Sequence, residues 1–210
     1  MEIFYLILLA AIISIDITAY GQFMVSRPIF CAPLFGWLLG DIQTGLWVGM
    51  LIELIWVSVI PMGTAVPVDA TSIAILTLIW SLSTFPGQKS AVITAMVFAV
   101  PASILFRKLD ILSRMYNVRV AHWVEEGVLN GEPRRLQYSV YLGILLFFFK
   151  ALAFYGVLVF LGMGVMRVVF PQLPNAVIAG FTTSWRLLPV AGFGMFLVNF
   201  WFGKVLGINK

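Results

Sequence analysis

The chain has 210 residues, of which 61% are hydrophobic and only 10% charged, and its mean hydropathy is +1.03. Soluble domains carry about 25% charged residues, so a surface of this composition could not be kept in water. The net charge of +4 is uneven, with five acids and one base in residues 1–88 against twelve bases and four acids in residues 89–210. Those bases sit in short loops between apolar runs, which argues against nucleic acid as a partner and for positions beside a bilayer.

Residues 3–19 form a first apolar span with Asp16 near its end. Its start carries Glu2 instead of a basic region, and no small-x-small cleavage site follows, so the reading is a retained span and not a signal peptide. Arg27-Pro28 punctuates the chain before Pro28–Gly40, an apolar run of only thirteen residues. A hydrocarbon core of about 30 Å needs roughly 20 apolar residues per helix, so this run is re-entrant or continues past Asp41. Ile42–Ile60 has spanning length and carries Glu53 inside it. Pro61 to Pro67 holds two prolines and a glycine in seven residues, a composition that breaks a helix. A helix resumes over Val68–Phe85, a turn follows at Pro86–Ser90, and Ala91–Phe106 forms a short span interrupted by Pro101.

Residues 107–137 are the one long polar stretch, with six of the thirteen bases and four acids. Leu109, Leu112, Met115 or Tyr116, Val120 and Trp123 recur at helical spacing, which predicts an amphipathic helix in the interface plane, ended by Gly127 and the Asn130–Pro133 loop. The positive-inside rule places this stretch on the cytoplasmic side. Ser139–Met166 is a long apolar segment interrupted by Lys150. After the Pro171/Pro174 loop come Ala176–Ser184, Arg186 and a last span over about 187–202. Trp47, Trp56, Trp80, Trp185 and Trp201 are placed near segment ends or on lipid-facing positions, as aromatic belts are.

Familiar catalytic constellations are missing from the sequence. The single histidine, His122, lies on the polar stretch without metal-ligand spacing, Cys31 can form no intrachain disulfide and reads as packing, and no phosphate-binding glycine loop is present. The intramembrane acids are different. A carboxylate near the bilayer centre costs about 2.5–3.5 kcal/mol on insertion scales, so it faces a cavity, a partner or a substrate. Glu53 is the first candidate for a transport path. Asp69 suits a helix cap through the Thr71 and Ser72 amides and also a ligand contact. Asp41, between Gly40 and Gln43, favours a turn or cap; Asp16 is open in the same way, and Gln22 is a nearby polar candidate. Lys150 and Arg186 can each snorkel, pair with an acid or meet a partner subunit; snorkelling is the default for Arg186 near a segment end, and less so for Lys150, about ten residues into its span. Short apolar segments, prolines at breaks and acids beside them recur in transporters with discontinuous helices.

The stretch Arg27-Pro-Ile-Phe-Cys-Ala-Pro-Leu-Phe-Gly36 through Leu39-Gly40-Asp41, Thr44-Gly45, Gly49, Glu53 and Pro67-Val68-Asp69-Ala70 resembles the IIC subunits of the mannose-type (mannose/fructose/sorbose) sugar phosphotransferase system. The resemblance implies a permease subunit of a bacterial inner membrane that binds a hexose-like sugar and passes it inward while it is phosphorylated. It also implies a hetero-oligomer with a IID membrane subunit and cytoplasmic IIA and IIB phosphocarriers. The phosphoryl group would ride on IIB, so this chain needs neither a catalytic residue nor a cofactor. By position, Glu53 and Asp69, and less strongly Asp41, become sugar-contacting candidates; Gln22 joins them only as the nearby polar residue. Members commonly carry acids where Tyr20-Gly21-Gln22 stands here, and they are commonly longer, so the chain reads as a short form, a fragment or a divergent branch.

The expected fold is therefore an all-α polytopic membrane protein with discontinuous or re-entrant helices and an interfacial amphipathic helix. It forms one membrane domain over 1–210, with motif-bearing broken helices in 1–106, a cytoplasmic amphipathic elbow in 107–137 and C-terminal helices in 138–210. Two alternatives to sugar translocation stay open: a non-transporting membrane scaffold that docks a regulator on the elbow, and a transporter or channel for another solute.

Overall fold

A computed structural model describes residues 2–18, 21–56, 68–132 and 134–198. Among these residues the chain is all helical: α1 (Glu2–Thr18), α2 (Pro28–Leu38), α3 (Ile42–Trp56), α4 (Ala70–Thr84), α5 (Lys89–Leu129), α6 (Arg134–Val169), a 3-10 turn (Phe170–Gln172) and α7 (Asn175–Leu197). The proline-rich 61–67 segment, residues 57–60 and 199–202 of two expected spans, and Trp201 lie outside the described residues.

Helices α2 and α3 form a tight antiparallel hairpin. Pro28 starts α2 where its missing N–H costs nothing. The helix stops at Leu38. Gly40 takes φ +83° there, and the Asp41 N–H reaches back to the Gly36 carbonyl at 2.8 Å. At a rise of 1.5 Å per residue, α2 is about 16 Å long, short of a full crossing, and the described part of α3 is about 22 Å long. Small residues bring the two backbones together: a Cβ on Gly45 would lie 2.6 Å from the Ala32 carbonyl oxygen, and one on Gly49 would lie 2.5 Å from that of Pro28. This small-xxx-small spacing is the means by which apolar helices pack closely without a hydrophobic driving force.

The centre of the molecule is α4, in which every residue from Thr71 to Leu82 is buried. It packs against α2, α3, α5 and α6. Two of its hydroxyls turn back on their own helix, Ser81 donating to the Thr77 carbonyl at 2.6 Å and Thr84 to that of Trp80. Trp80 is the bolt between α4 and α6. Its indole N–H donates to the Leu158 carbonyl at 3.0 Å, and the ring lies so close to Gly162 that a Cβ there would sit 2.0 Å from Cε2. Gly162→Ala is therefore expected to cost about 1–3 kcal/mol by overpacking. The lost stability is read as a lower thermal unfolding midpoint in detergent. Gly164→Ala, which faces open space, is the control expected to change little.

Four sequence expectations change. The break at Phe106/Arg107 does not exist, because α5 runs unbroken for 41 residues through Pro101 and through the change in polarity. Polarity sets which face is covered; nothing between Ala102 and Leu129 removes backbone hydrogen bonds. Gly127 stays inside α5, and the turn falls at Asn130–Glu132, where Gly131 takes φ +82° and the Glu132 N–H bonds the Gly127 carbonyl at 2.8 Å. The segments 176–184 and 187 onward are one helix, α7, which Arg186 does not interrupt. Trp80 and Trp185 are buried, at 3% and 8% exposure, and so are core residues. Two described helices, α5 and α6 with its 3-10 extension, are long and apolar enough to cross a membrane.

Candidate functional site

The loop after α1 is built by Asp16. Its carboxylate accepts from the Phe23 N–H at 2.6 Å, the Ser26 N–H at 3.1 Å and the Ser26 hydroxyl at 3.2 Å. This clamp holds a sharply bent backbone in which Gln22 and Met24 both take positive φ. Thr71, in the first turn of α4, donates its hydroxyl to the Ser26 carbonyl at 2.6 Å. The loop, the N-terminus of α2 and the N-terminus of α4 are thereby tied into one place.

Asp69 caps α4 as its position suggests, accepting from the Thr71 and Ser72 amides at 3.2 and 3.1 Å. Without such a cap the first amides of a helix buried along its length would be left without partners. Glu53 lies one turn before the end of α3, and the hairpin brings it to this same end. Arg27 donates to Glu53 Oε1 at 2.8 Å, with the Arg27 side chain 47% and the Glu53 side chain 16% exposed. The other oxygen, Oε2, is buried and has no hydrogen-bond partner among the described residues. A charged acceptor left free in a buried position is poised to take a hydroxyl or an N–H from a ligand.

The structure thus gathers Glu53 and Asp69, with Asp16, Arg27, Ser26 and Thr71, around the junction of four helix ends. Gln22 lies on the clamped loop, exposed, its side chain without a hydrogen bond among the described residues. Asp41 is elsewhere. It stands at the tip of the hairpin, twelve residues before Glu53 and so about 18 Å away along the helix axis. There it accepts from the Thr44 amide at 3.0 Å and the Thr44 hydroxyl at 2.6 Å, capping α3. A separate cleft of about 130 Å³ opens beside it, between Gln43, Trp47, Gln88, Lys89 and Trp185, with the two indoles 6.2 Å apart.

Arg27 entered the sequence reading as a motif residue and not as part of the site. The signal that marks it is charge: it is the one base among five acids in residues 1–88. Lys150 has an unexpected partner. It donates to Asp110 at 2.8 Å, in a pair whose side chains are 11% and 13% exposed, while Arg114 holds the other Asp110 oxygen at 2.9 Å. Phe147 lies 3.8 Å and Phe106 5.0 Å from the ammonium, a setting that favours a cation.

Comparison with known proteins agrees with this architecture. The family described as the sorbose-specific IIC component of the phosphotransferase system matches residues 1–208. The mannose-specific EIIC component of Escherichia coli K12 is 25% identical over 176 residues, covering 83% of this chain and 64% of its own length. N-acetylgalactosamine permease IIC component 1 of the same strain is 26% identical over 189 residues, 90% of this chain and 69% of that protein. This chain thus spans a little under two thirds of the mannose-specific relative. Two solved structures share the fold: one described only as a membrane protein, with TM-score 0.72 and 21% identity over 100% of this chain and 87% of that one, and the mannose transporter ManYZ in complex with microcin E492, with TM-score 0.64 and 20% identity over 99% and 85%. The chain belongs to the sorbose-specific IIC component family of the sugar phosphotransferase system.

Proposed function

We propose that this chain is the sugar-translocating IIC subunit of a mannose-type, phosphoenolpyruvate-dependent phosphotransferase system. It is a permease subunit, a single multi-pass domain in a bacterial inner membrane, working as a hetero-oligomer with a IID membrane subunit. Cytoplasmic IIA and IIB partners carry the phosphoryl group, so this chain binds and moves the sugar and transfers nothing itself. The substrate is a neutral hexose-like sugar held by Glu53 and Asp69, with Gln22 at the rim and Arg27 setting the Glu53 orientation. Asp41 stands apart from this site, because it caps the far end of the hairpin.

The observation that supports this reading is the buried Oε2 of Glu53, without a hydrogen-bond partner among the described residues, near the N-termini of α2 and α4. A neutral sugar offers hydroxyl donors to such an oxygen, whereas an anionic solute would be repelled by three nearby carboxylates. Membership of the IIC family supports the transport role. The test is uptake of labelled hexoses and amino sugars into vesicles that contain this chain with its IID partner and the soluble phosphocarriers. Accumulation of a sugar phosphate, lost when phosphoenolpyruvate is withheld, is the expected result. Flux that persists without phosphoenolpyruvate would indicate a channel or another transporter, and no uptake with both membrane chains present would indicate a scaffold.

A further inference from the structure

Asp16 stands where its own helix does not favour it. It lies in the last turn of α1, beside backbone carbonyls whose partial negative charge disfavours an anion, and no base shares that turn. The residues it holds are in a costly conformation too. Gln22 takes φ 53° and Met24 φ 66°, the left-handed region, which disfavours a residue with a side chain by roughly 5- to 30-fold each. Local costs of this kind gather at functional sites, where the surrounding structure holds them in place.

What the strained loop delivers is Arg27. The Arg27 N–H donates to the Met24 carbonyl at 3.0 Å and closes the turn that begins there. Asp16 holds the chain on both sides of Met24, Phe23 through one carboxylate oxygen and the Ser26 N–H and hydroxyl through the other. Thr71 fixes the Ser26 carbonyl from the α4 side. The next residue, Arg27, then reaches across to Glu53 Oε1, while Oε2 has no hydrogen-bond partner among the described residues. A carboxylate on α1 is thus connected to the carboxylate on α3 through one turn of backbone and one guanidinium.

We infer that Asp16 is a positioning residue of the sugar site: by holding the 21–27 loop in its strained form it sets Arg27, and through Arg27 the Glu53 carboxylate. The inference rests on the transport reading above. Asp16 itself touches no sugar. Without the clamp the strained loop becomes the minor form, about one molecule in ten, and the apparent affinity for sugar falls by that fraction. Saturating sugar draws the loop back, so the maximal rate survives.

The test is Asp16→Asn, which keeps the size of the side chain but turns an NH2 group toward a backbone N–H whichever way the amide lies. In vesicles that also hold the IID partner and the soluble phosphocarriers, the half-saturating sugar concentration is expected to rise about tenfold, with the maximal rate little changed. Ser26→Ala, a milder loosening that serves should Asp16→Asn not fold, removes only the hydroxyl contact and is expected to raise it about threefold. Met24→Gly added to Asp16→Asn is expected to recover about threefold, because glycine takes positive φ freely. A rise that Met24→Gly does not reduce, or a lower maximal rate at an unchanged half-saturating concentration, would overturn the positioning role. A second readout does not depend on sugar. Thermal unfolding midpoints in detergent for Arg27→Gln, Glu53→Gln and the two together are expected to be non-additive in the parent chain and additive in the Asp16→Asn chain. Equal coupling in the two backgrounds would overturn the inference. An absence of uptake in the parent chain would count against the transport reading, and this cycle would still decide whether Asp16 sets the Arg27–Glu53 pair.

Discussion

Glu53→Gln is expected to lower phosphoenolpyruvate-dependent sugar uptake by about 10- to 100-fold while leaving the chain folded and in the membrane. The substitution keeps the shape of the side chain and changes what its two terminal atoms offer. As a carboxylate, Glu53 presents two acceptors, one to Arg27 and one, Oε2, buried and without a hydrogen-bond partner among the described residues. An amide presents one acceptor and one donor. If its oxygen faces Arg27, its NH2 group faces the sugar and meets hydroxyl protons with protons; if reversed, it confronts the guanidinium. A hydrogen bond to a charged group contributes about 1.5–3 kcal/mol, and each 1.4 kcal/mol is tenfold in affinity, which gives the expected range. Folding is affected far less. Arg27 is about half exposed, and exposed ion pairs contribute at most about 1 kcal/mol. Uptake and membrane content measured on the same vesicles separate the two effects. Undiminished uptake would remove Glu53 from the sugar path.

The largest stability loss is expected from Lys150→Met. Removing one partner from a buried ion pair leaves the other charge without compensation and costs about 3–5 kcal/mol. Here Asp110 would keep Arg114, which is half exposed, so the loss falls toward the lower part of that range. Following it with Asp110→Asn is expected to recover part of the stability, since the stranded charge disappears. The measurement is the thermal unfolding midpoint in detergent for the parent, both single variants and the double variant. If the double variant were less stable than Lys150→Met by the full cost of Asp110→Asn, the two residues would not be coupled and the pair would contribute little.

Local signals explain what the sequence made legible. The bounds of α2 and the starts of α3 and α4 follow from Pro28, Gly40 and the capping residues Asp41 and Asp69, all within a few positions of the ends they define. The ordered set from Arg27 to Ala70 carried the family resemblance. Pairings across sequence were not legible. Arg27 meets Glu53 at a separation of 26 residues, and Lys150 meets Asp110 at 40. In the second case Asp110 lies in a stretch so rich in charge that nothing local distinguishes it from a solvated acid. The same reasoning misplaced the end of α5, because a change of composition was read as a change of backbone. It also set Trp80 at a boundary, when its partner is a glycine some eighty positions further on. Asp41 was grouped with Glu53 by its place in a motif, and a straight helix puts it about 18 Å away along the axis.

The Asp110–Lys150 pair has a consequence for how the chain is made. Chains are synthesised at about 5–20 residues per second, so Lys150 follows Asp110 into existence after about 2–8 seconds. Throughout that interval the acid must be accommodated without the lysine. Arg114, one helical turn later, reaches the other Asp110 oxygen and is made almost at once. It can act as a provisional counterion until α6 arrives, after which Lys150 takes the enclosed position and Arg114 keeps the outer one. The pairing also ties insertion order to topology: α5 is electrically complete only when α6 lies against it, so the two are best delivered to the bilayer as a hairpin. An Arg114→Gln chain would then be expected to reach the same final structure in lower yield, a defect of biogenesis and not of the finished protein.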